Sequence, residues 1–194
     1  YWPANEAMAR AAAVVVGNAG MRVLTLHAGF LPHAADDPER ATMVGRLQKL
    51  ADIFANEGVR LGLETGQEDA DTLLSVLAEI NRPNVGVNFD PANMILYGTG
   101  DPIDALKKVG HLVRSIHCKD ATWAAQDVRG TEWGAEVALG EGDVGMETYL
   151  RTLDELGYTG PLTIEREIAH DREQQKADIG QAVSLLEELR SLIG

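Results

Sequence analysis

The stretch from residue 59 to residue 90, VRLGLETGQEDADTLLSVLAEINRPNVGVNFD, contains two short apolar runs separated by a helical pattern. The runs, at 59–64 and 84–90, are rich in Val and Leu or Val and Phe, as strands buried on both faces are. The segment between them, 70–80, has the length and spacing of a helix. Strand, helix and strand in this order predict a βαβ unit with parallel strands.

The same alternation extends over the rest of the chain. Strands are predicted at 22–27, 59–64, 84–90, 113–119 and 161–165. Helices are predicted near 5–17, between Asp37 and Gly58, at 70–80, between Asp101 and Gly110, at about 146–156 and at about 173–192. Asp37 and Asp101 are each followed by proline, a pairing typical of a helix N-cap and first turn. The pattern predicts an α/β fold of five strands and six helices, forming one domain over residues 1–194.

One segment, 121–143, shows neither a helical nor a strand pattern. It contains Trp123, Trp133 and four glycines. Long loops of this kind in compact domains are often lids or binding loops. We expect a functional loop here, and a surface insertion packed by its own tryptophans is the alternative interpretation.

The composition excludes several classes of protein. Of 194 residues, 30 are acidic and 17 basic, giving a net charge of −13, and there is one cysteine. A single cysteine forms no internal disulfide, and the acidity argues against a nucleic-acid partner, since duplex binding requires basic side chains. The 45% hydrophobic content argues against disorder.

The same sequence argues against a membrane partner. No apolar run approaches the roughly 20 residues that span a bilayer, and the apolar stretch 8–16 follows Glu6 instead of the basic segment of a signal peptide. We therefore expect a cytoplasmic protein. Because the chain opens with Tyr1 and runs directly into a helix, we also expect that its native N-terminus, with any signal, is missing.

Each predicted strand ends in a side chain that can bind a metal. These residues are His27, Glu64, Asp90, His117 and Glu165. In a barrel of βα units the carboxyl ends of the strands form the active-site rim. Two glutamates, an aspartate and a histidine are an oxygen-rich ligand set, which suits Mn²⁺, Mg²⁺ or Co²⁺ better than structural Zn²⁺. Alternation along the strand places Cys118 behind the rim as a buried residue and Lys119 at the rim.

At this point the sequence resembles a known family. ETGQ (64–67), NFDPAN (88–93), HCKD (117–120) and TIERE (163–167) are similar to the xylose isomerase-like TIM-barrel superfamily of sugar phosphate isomerases and epimerases. The resemblance implies a (β/α)8 TIM barrel with its first three or so strands absent from this chain. It also implies one divalent metal ion, most often Mn²⁺ with Mg²⁺, Co²⁺ or Zn²⁺ as alternatives, held by Glu64, Asp90, His117 and Glu165.

Endonuclease IV, a DNA-repair member of the same superfamily, is the main competitor. Its three-zinc cluster uses a histidine where this chain has Asn93, and a further histidine in a loop that corresponds to 121–143, which contains none. A three-metal cluster is therefore incomplete here, and the charge of −13 also disfavours DNA. Asn93 also replaces a histidine that several ketose epimerases place beside their substrate.

The resemblance and the residues together predict a sugar or sugar-phosphate isomerase or epimerase, most similar to ketose 3-epimerases. Glu64 and Glu165 are expected to move protons on opposite faces of a carbon next to a carbonyl. The predicted substrate contacts are His27, Asn88, Asn93, Lys119 and Trp133. Arg166 and Glu167 are expected to form a solvated ion pair. A metal-dependent lyase or dehydratase acting on oxidised sugars or inositols, a non-catalytic sugar-binding barrel, and a homo-oligomeric assembly remain open.

Overall fold

The structure, a computed structural model, describes residues 1–193. Five parallel strands form one sheet in the order β1 (Val23–Leu26), β2 (Arg60–Glu64), β3 (Val85–Phe89), β4 (Val113–Cys118) and β7 (Thr163–Ile164). Each of these strands pairs with the next one along the chain, as in a barrel of βα units. All five predicted strands are therefore present, each shortened at one or both ends.

Seven α-helices lie in the described residues. They are α1 (Trp2–Asn18), α2 (Pro38–Ala55), α3 (Ala70–Ile80), α4 (Pro91–Tyr97), α5 (Pro102–Val109), α6 (Met146–Glu155) and α7 (Arg172–Ile193). Asp37 and Asp101 accept backbone N–H bonds at the starts of α2 and α5, as predicted. The prediction of six helices was wrong by one, because α4 begins directly after β3 and is only seven residues long.

The prediction of a structureless segment at 121–143 was also wrong. Its beginning pairs with residues farther along it as a short antiparallel hairpin of β5 (Asp120–Thr122) and β6 (Ala135–Val137). The buried carboxylate of Asp120 accepts bonds from the backbone N–H groups of Gly140, Gly142 and Val144, so the chain that follows the hairpin is held in place.

The core lies between the sheet and its helices. Leu61 and Leu63 of β2, Phe89 of β3 and Ile116 of β4 are almost fully buried, which explains the apolar character of these strands. Cys118 is fully buried, as predicted, and burial raises the pKa of its thiol to about 12. The polar ends of the strands therefore stand on a rigid apolar support.

No helix in residues 1–193 is both long enough and apolar enough to cross a membrane.

Candidate metal centre

The structure brings four of the predicted strand-end residues into one cluster. Each offers a ligand atom, and these atoms all lie within 4.8 Å of one another. Glu64 ends β2, Asp90 follows β3, His117 lies in β4 and Glu165 follows β7. The cluster therefore draws its members from four neighbouring strands at the carboxyl edge of the sheet.

Asp90 is the most deeply buried member, with no exposed surface. Its Oδ1 accepts the backbone N–H of Asn93 at 3.1 Å and so caps α4, while its Oδ2 lies 3.2 Å from Nδ1 of His117. Burial raises the pKa of this carboxyl group, although the hydrogen bond from His117 opposes the rise. A helix start and the centre of the cluster thus depend on one side chain.

His117 faces three carboxylates through a single ring nitrogen. Its Nδ1 lies 2.5 Å from Glu165, 3.2 Å from Asp90 and 3.6 Å from Glu64. Burial alone would lower the pKa of His117, but its close contacts with Asp90, Glu165 and Glu64 raise it to about 11.

One N–H group cannot donate hydrogen bonds to three carboxylates at once, so hydrogen bonding alone does not account for the three carboxylates around Nδ1. The buried Oε2 of Glu165 has no hydrogen bond of good geometry, despite its closeness to the ring. Three carboxylate oxygens and one imidazole nitrogen around a common point are the donor set that a divalent cation such as Mn²⁺ or Mg²⁺ accepts. The residues present therefore fit a divalent metal ion.

Glu165 is half-buried beside two positive groups. Its Oε2 lies close to Nδ1 of His117 and 3.9 Å from Nζ of Lys119. The close contact with His117, with a smaller contribution from the charge of Lys119, lowers the pKa of Glu165 although burial opposes the change. The group therefore stands ionised at neutral pH.

Glu64 is held by Asn93, which donates from Nδ2 to its Oε1 at 3.0 Å. Asn93 also lies 3.4 Å from Nζ of Lys119 through its Oδ1. Gly66 makes this arrangement possible, because it has φ +147° and a Cβ there would lie 2.5 Å from Cβ of Asn93. Asn93, predicted as a substrate contact, is thus also a support for Glu64.

Asn88 and Lys119, two other predicted substrate contacts, border the cluster. Asn88 places its amide nitrogen 3.3 Å from Nε2 of His117 and accepts a bond from Ser115 through its oxygen. Lys119 is buried and donates to Glu167 at 3.1 Å. Burial opposes the charge of Lys119, but Asp90, Glu165 and Glu136 outweigh burial and raise its pKa.

His27 and Trp133 lie outside the four-residue cluster. His27 directly follows β1 and is exposed, with Nδ1 facing the backbone N–H of Gly29 at 3.4 Å. Trp133 is 68% exposed and packs edge-on against Tyr97 at a centroid distance of 5.0 Å. Their roles as substrate contacts stay predictions.

The expected Arg166–Glu167 ion pair does not form. Arg166 instead pairs with Glu136 and Asp178, at 2.9 and 2.8 Å, whereas Glu167 pairs with Lys119. The prediction was wrong because the β5–β6 hairpin and α7 bring carboxylates to Arg166 from distant parts of the sequence.

Glu136 is the residue near the site that sequence reasoning missed. Its Oε1 accepts from Arg166 and from the backbone N–H of Glu167, and its Oε2 lies 3.7 Å from Nζ of Lys119. It stands in β6, a strand of three residues without a recognisable pattern. The one sequence signal for Glu136 is its position within segment 121–143, which was predicted to be a functional loop.

The geometry of this site can be compared with known proteins. Residues 5–189 match the family described as Xylose isomerase-like TIM barrel. The chain belongs to this family. The predicted (β/α)8 barrel class is thereby confirmed, and the five consecutive parallel strands described here are part of that barrel.

One solved member of the xylose isomerase-like family is very similar in sequence and fold. It is a xylose isomerase domain protein from Planctomyces limnophilus, 53% identical, with a TM-score of 0.95 over 98% of this chain and 67% of that chain.

Two curated relatives carry names of enzymes. An L-ribulose 3-epimerase from Methylomonas sp. (strain DH-1) is 28% identical over 71% of this chain and 46% of its own length. An inosose dehydratase from Clostridium botulinum is 27% identical over 68% of this chain and 48% of its own length. The chain spans about half the length of the curated relatives it matches. These relatives support the broad prediction of a sugar-modifying enzyme.

Proposed function

We propose that this chain carries the metal-binding half of the active site of a divalent-metal-dependent sugar isomerase or epimerase, most similar to ketose 3-epimerases. The observation that carries the proposal is the convergence of Glu64, Asp90, His117 and Glu165 within 4.8 Å at the carboxyl ends of four adjacent strands. The resemblance to an L-ribulose 3-epimerase supports the same reaction class.

The four clustered residues would hold the metal ion, for which Mn²⁺ is the proposed identity. Bound there, it supplies Lewis acidity to the carbonyl oxygen of the substrate. Nδ1 of His117, which faces the three carboxylates, is the nitrogen that would bind it. The ring proton of His117 would then lie on Nε2. The side-chain amide of Asn88 can accept a hydrogen bond from this N–H when its oxygen, instead of its nitrogen, faces the ring.

Glu165 and Glu64 are the proposed proton carriers. Glu165 has a lowered pKa and is ionised, as a base must be before it removes a proton from carbon. Glu64 stands three strands away, since β3 and β4 lie between β2 and β7. The two carboxylates therefore reach a shared substrate from different sides, which inversion at one carbon requires.

The chain after β5 would form the cover of the site. Trp133 offers an exposed aromatic face for a sugar, and Asp120 holds the following loop in place. Excluding water protects a carbanionic intermediate from uncontrolled protonation.

A dehydratase is the second candidate, and one observation favours it. The ammonium group of Lys119 lies 3.9 Å from Oε2 of Glu165, so an acid stands beside the proposed base. A base that removes the proton next to a carbonyl and an acid that protonates the departing hydroxyl together eliminate water. The inosose dehydratase relative agrees with this chemistry.

The test is proton exchange by the full-length protein, loaded with Mn²⁺, on a panel of ketoses in deuterated water. An epimerase incorporates deuterium at the carbon next to the carbonyl and yields the epimeric ketose, both visible by NMR. A dehydratase instead yields a product that has lost water. The absence of both exchange and water loss across ketose and inosose panels would leave only a sugar-binding role and refute the catalytic proposal.

A pair of variants assigns the chemistry to the cluster. Glu165→Gln should lower kcat by about a hundredfold or more, because it removes both a ligand and the base. Glu173→Gln, at an exposed position on α7, is the matched control and should retain full activity. Equal activity of the two variants would contradict the site assignment.

A further inference from the structure

The rim of the site carries an excess of negative charge beyond the metal cluster. Besides His117, which belongs to the cluster, two basic side chains within residues 1–193 make ion pairs with the cluster or with the carboxylates next to it, Lys119 and Arg166. Six carboxylates surround them. These belong to Glu64, Asp90, Glu136, Glu165, Glu167 and Asp178. Even with a divalent metal ion in place, the carboxylates outnumber the positive charges.

Neither basic side chain is free to bind an anion. Nζ of Lys119 has carboxylate oxygens of four residues within 4.0 Å. The guanidinium of Arg166 is held from two sides, by Glu136 at 2.9 Å and by Asp178 at 2.8 Å. A phosphate group is recognised by unpaired Arg or Lys donors, and these are already occupied.

Glu136 is the carboxylate that both cations share. Its Oε1 accepts from Arg166 and its Oε2 lies 3.7 Å from Lys119. Its side chain is 12% exposed, whereas that of Glu167, the nearest partner of Lys119, is 69% exposed and can move away. Glu136 is therefore the fixed negative charge between the two basic groups.

We propose that Glu136 is a specificity-determining residue that occupies Lys119 and Arg166, so that the site takes an uncharged ketose and rejects phosphorylated or otherwise anionic sugars. This inference rests on the proposed function, because it names the substrate class of the same site. A neutral polyol needs hydrogen-bond partners and a metal ion, both of which the rim offers. A phosphate ester would add two negative charges beside carboxylates that are held in place.

The test measures binding of inorganic phosphate by calorimetry to the full-length, Mg²⁺-loaded protein, with no turnover required. Unmodified protein should bind phosphate weakly. Glu136→Gln should bind it at least about tenfold more tightly, because a negative charge close to two cations has been removed. Glu136→Asp retains the charge and should resemble the unmodified protein. Glu147→Gln frees the exposed Arg151 elsewhere and should also leave phosphate binding unchanged.

Asp178→Asn provides a second route to the same result, should Glu136→Gln fail to fold. It removes the other partner of Arg166 and should also strengthen phosphate binding. A purely structural role for Glu136 would reduce stability without any gain in phosphate affinity.

Two results would overturn the inference. One is a folded Glu136→Gln or Asp178→Asn protein that binds phosphate no better than the unmodified protein. The other is an unmodified protein that binds phosphate tightly or turns over ketose phosphates better than ketoses. Failure of the proposed function is a separate outcome, since an inactive protein can still show the predicted changes in phosphate binding.

Discussion

Glu68 offers a stability measurement that tests the packing around the site independently of catalysis. It lies in the loop between β2 and α3, is only 3% exposed, and its Oε1 has no hydrogen-bond partner. With Leu73, Phe89 and Met94 it lines a small apolar cavity of about 10 Å³. Burial, assisted slightly by the charge of Asp69, raises the pKa of Glu68 from 4.5 to about 7.

The sign of the effect follows from which state holds the proton. Between pH 4.5 and about 7 the folded protein keeps the Glu68 proton while the unfolded chain loses it, so the free energy of unfolding falls as pH rises. Stability from the neutral carboxyl is therefore fully present below pH 4.5 and lost above about pH 7. The difference between the two pKa values corresponds to about 3 kcal/mol, and the burial of the group leaves little solvent screening.

Glu68→Gln removes this titration. The free energy of unfolding of the variant, relative to the unmodified protein, should rise by about 3 kcal/mol between pH 4.5 and pH 8. In a chain of this size that corresponds to roughly 6–12 °C in Tm. Urea titrations of both metal-free proteins at several pH values measure the difference, with Glu173→Gln as an exposed control that should show none. A Glu68→Gln difference that stays constant with pH would refute the reasoning.

Three further predictions concern the metal, the glycine next to Glu64 and the cysteine. Removal of metal by a chelator should abolish turnover, and Mn²⁺ at about 100 times its Kd should restore it. The same addition should raise the free energy of unfolding by about 2.7 kcal/mol, measured by thermal melting, and an unchanged Tm would contradict a metal site. Gly66→Ala should cost about 1–3 kcal/mol in backbone strain and, by displacing Asn93 from Glu64, lower kcat, whereas Gly180→Ala, with open space around its Cβ, should not affect kcat. Cys118 should not react with a thiol reagent in the native protein and should react after denaturation, since it is fully buried with a raised pKa; rapid native labelling would disprove its burial.

The strands and the grouping of Glu64, Asp90, His117 and Glu165 could be predicted because both depend on local pattern. The runs that contain β2 and β3 are largely apolar and buried on both faces, so their boundaries are visible in the sequence, and parallel pairing of β2, β3 and β4 brings their carboxyl ends together. Glu64, Asp90 and His117 needed only this one geometric rule to be grouped. Cys118 followed from alternation along β4.

The elements that were missed are the short ones. The helix α4 has seven residues and starts directly at Asp90, so its N-cap was interpreted only as a metal ligand. The strands β5 and β6 have three residues each, too few for an alternating pattern to be distinguished from chance. These short elements form because tertiary contacts support them, such as the hydrogen bond from the backbone N–H of Gly134 to the carbonyl of Leu96 in α4.

Ion-pair partners were the other failure, because they depend on distance in space. Arg166 was assigned to its neighbour Glu167, although its actual partners Glu136 and Asp178 are 30 and 12 residues away in sequence. Adjacent residues in an extended segment point to opposite sides, so sequence neighbours are poor candidates for pairing there.

These contacts also show where part of the net charge of −13 lies. A composition count treats every carboxylate alike, yet Glu173 is exposed, whereas Asp90 is fully buried and the side chain of Glu136 is only 12% exposed. Enclosed like charges raise the free energy of the folded protein unless a cation joins them, so the clustered carboxylates of Glu64, Asp90 and Glu165 favour metal binding. Glu136 has Arg166 and Lys119 as partners and needs no metal, so its effect is to occupy these two basic side chains. Carboxylates at one rim thus have two different effects. The clustered carboxylates favour a metal ion, whereas Glu136 occupies the basic side chains beside it.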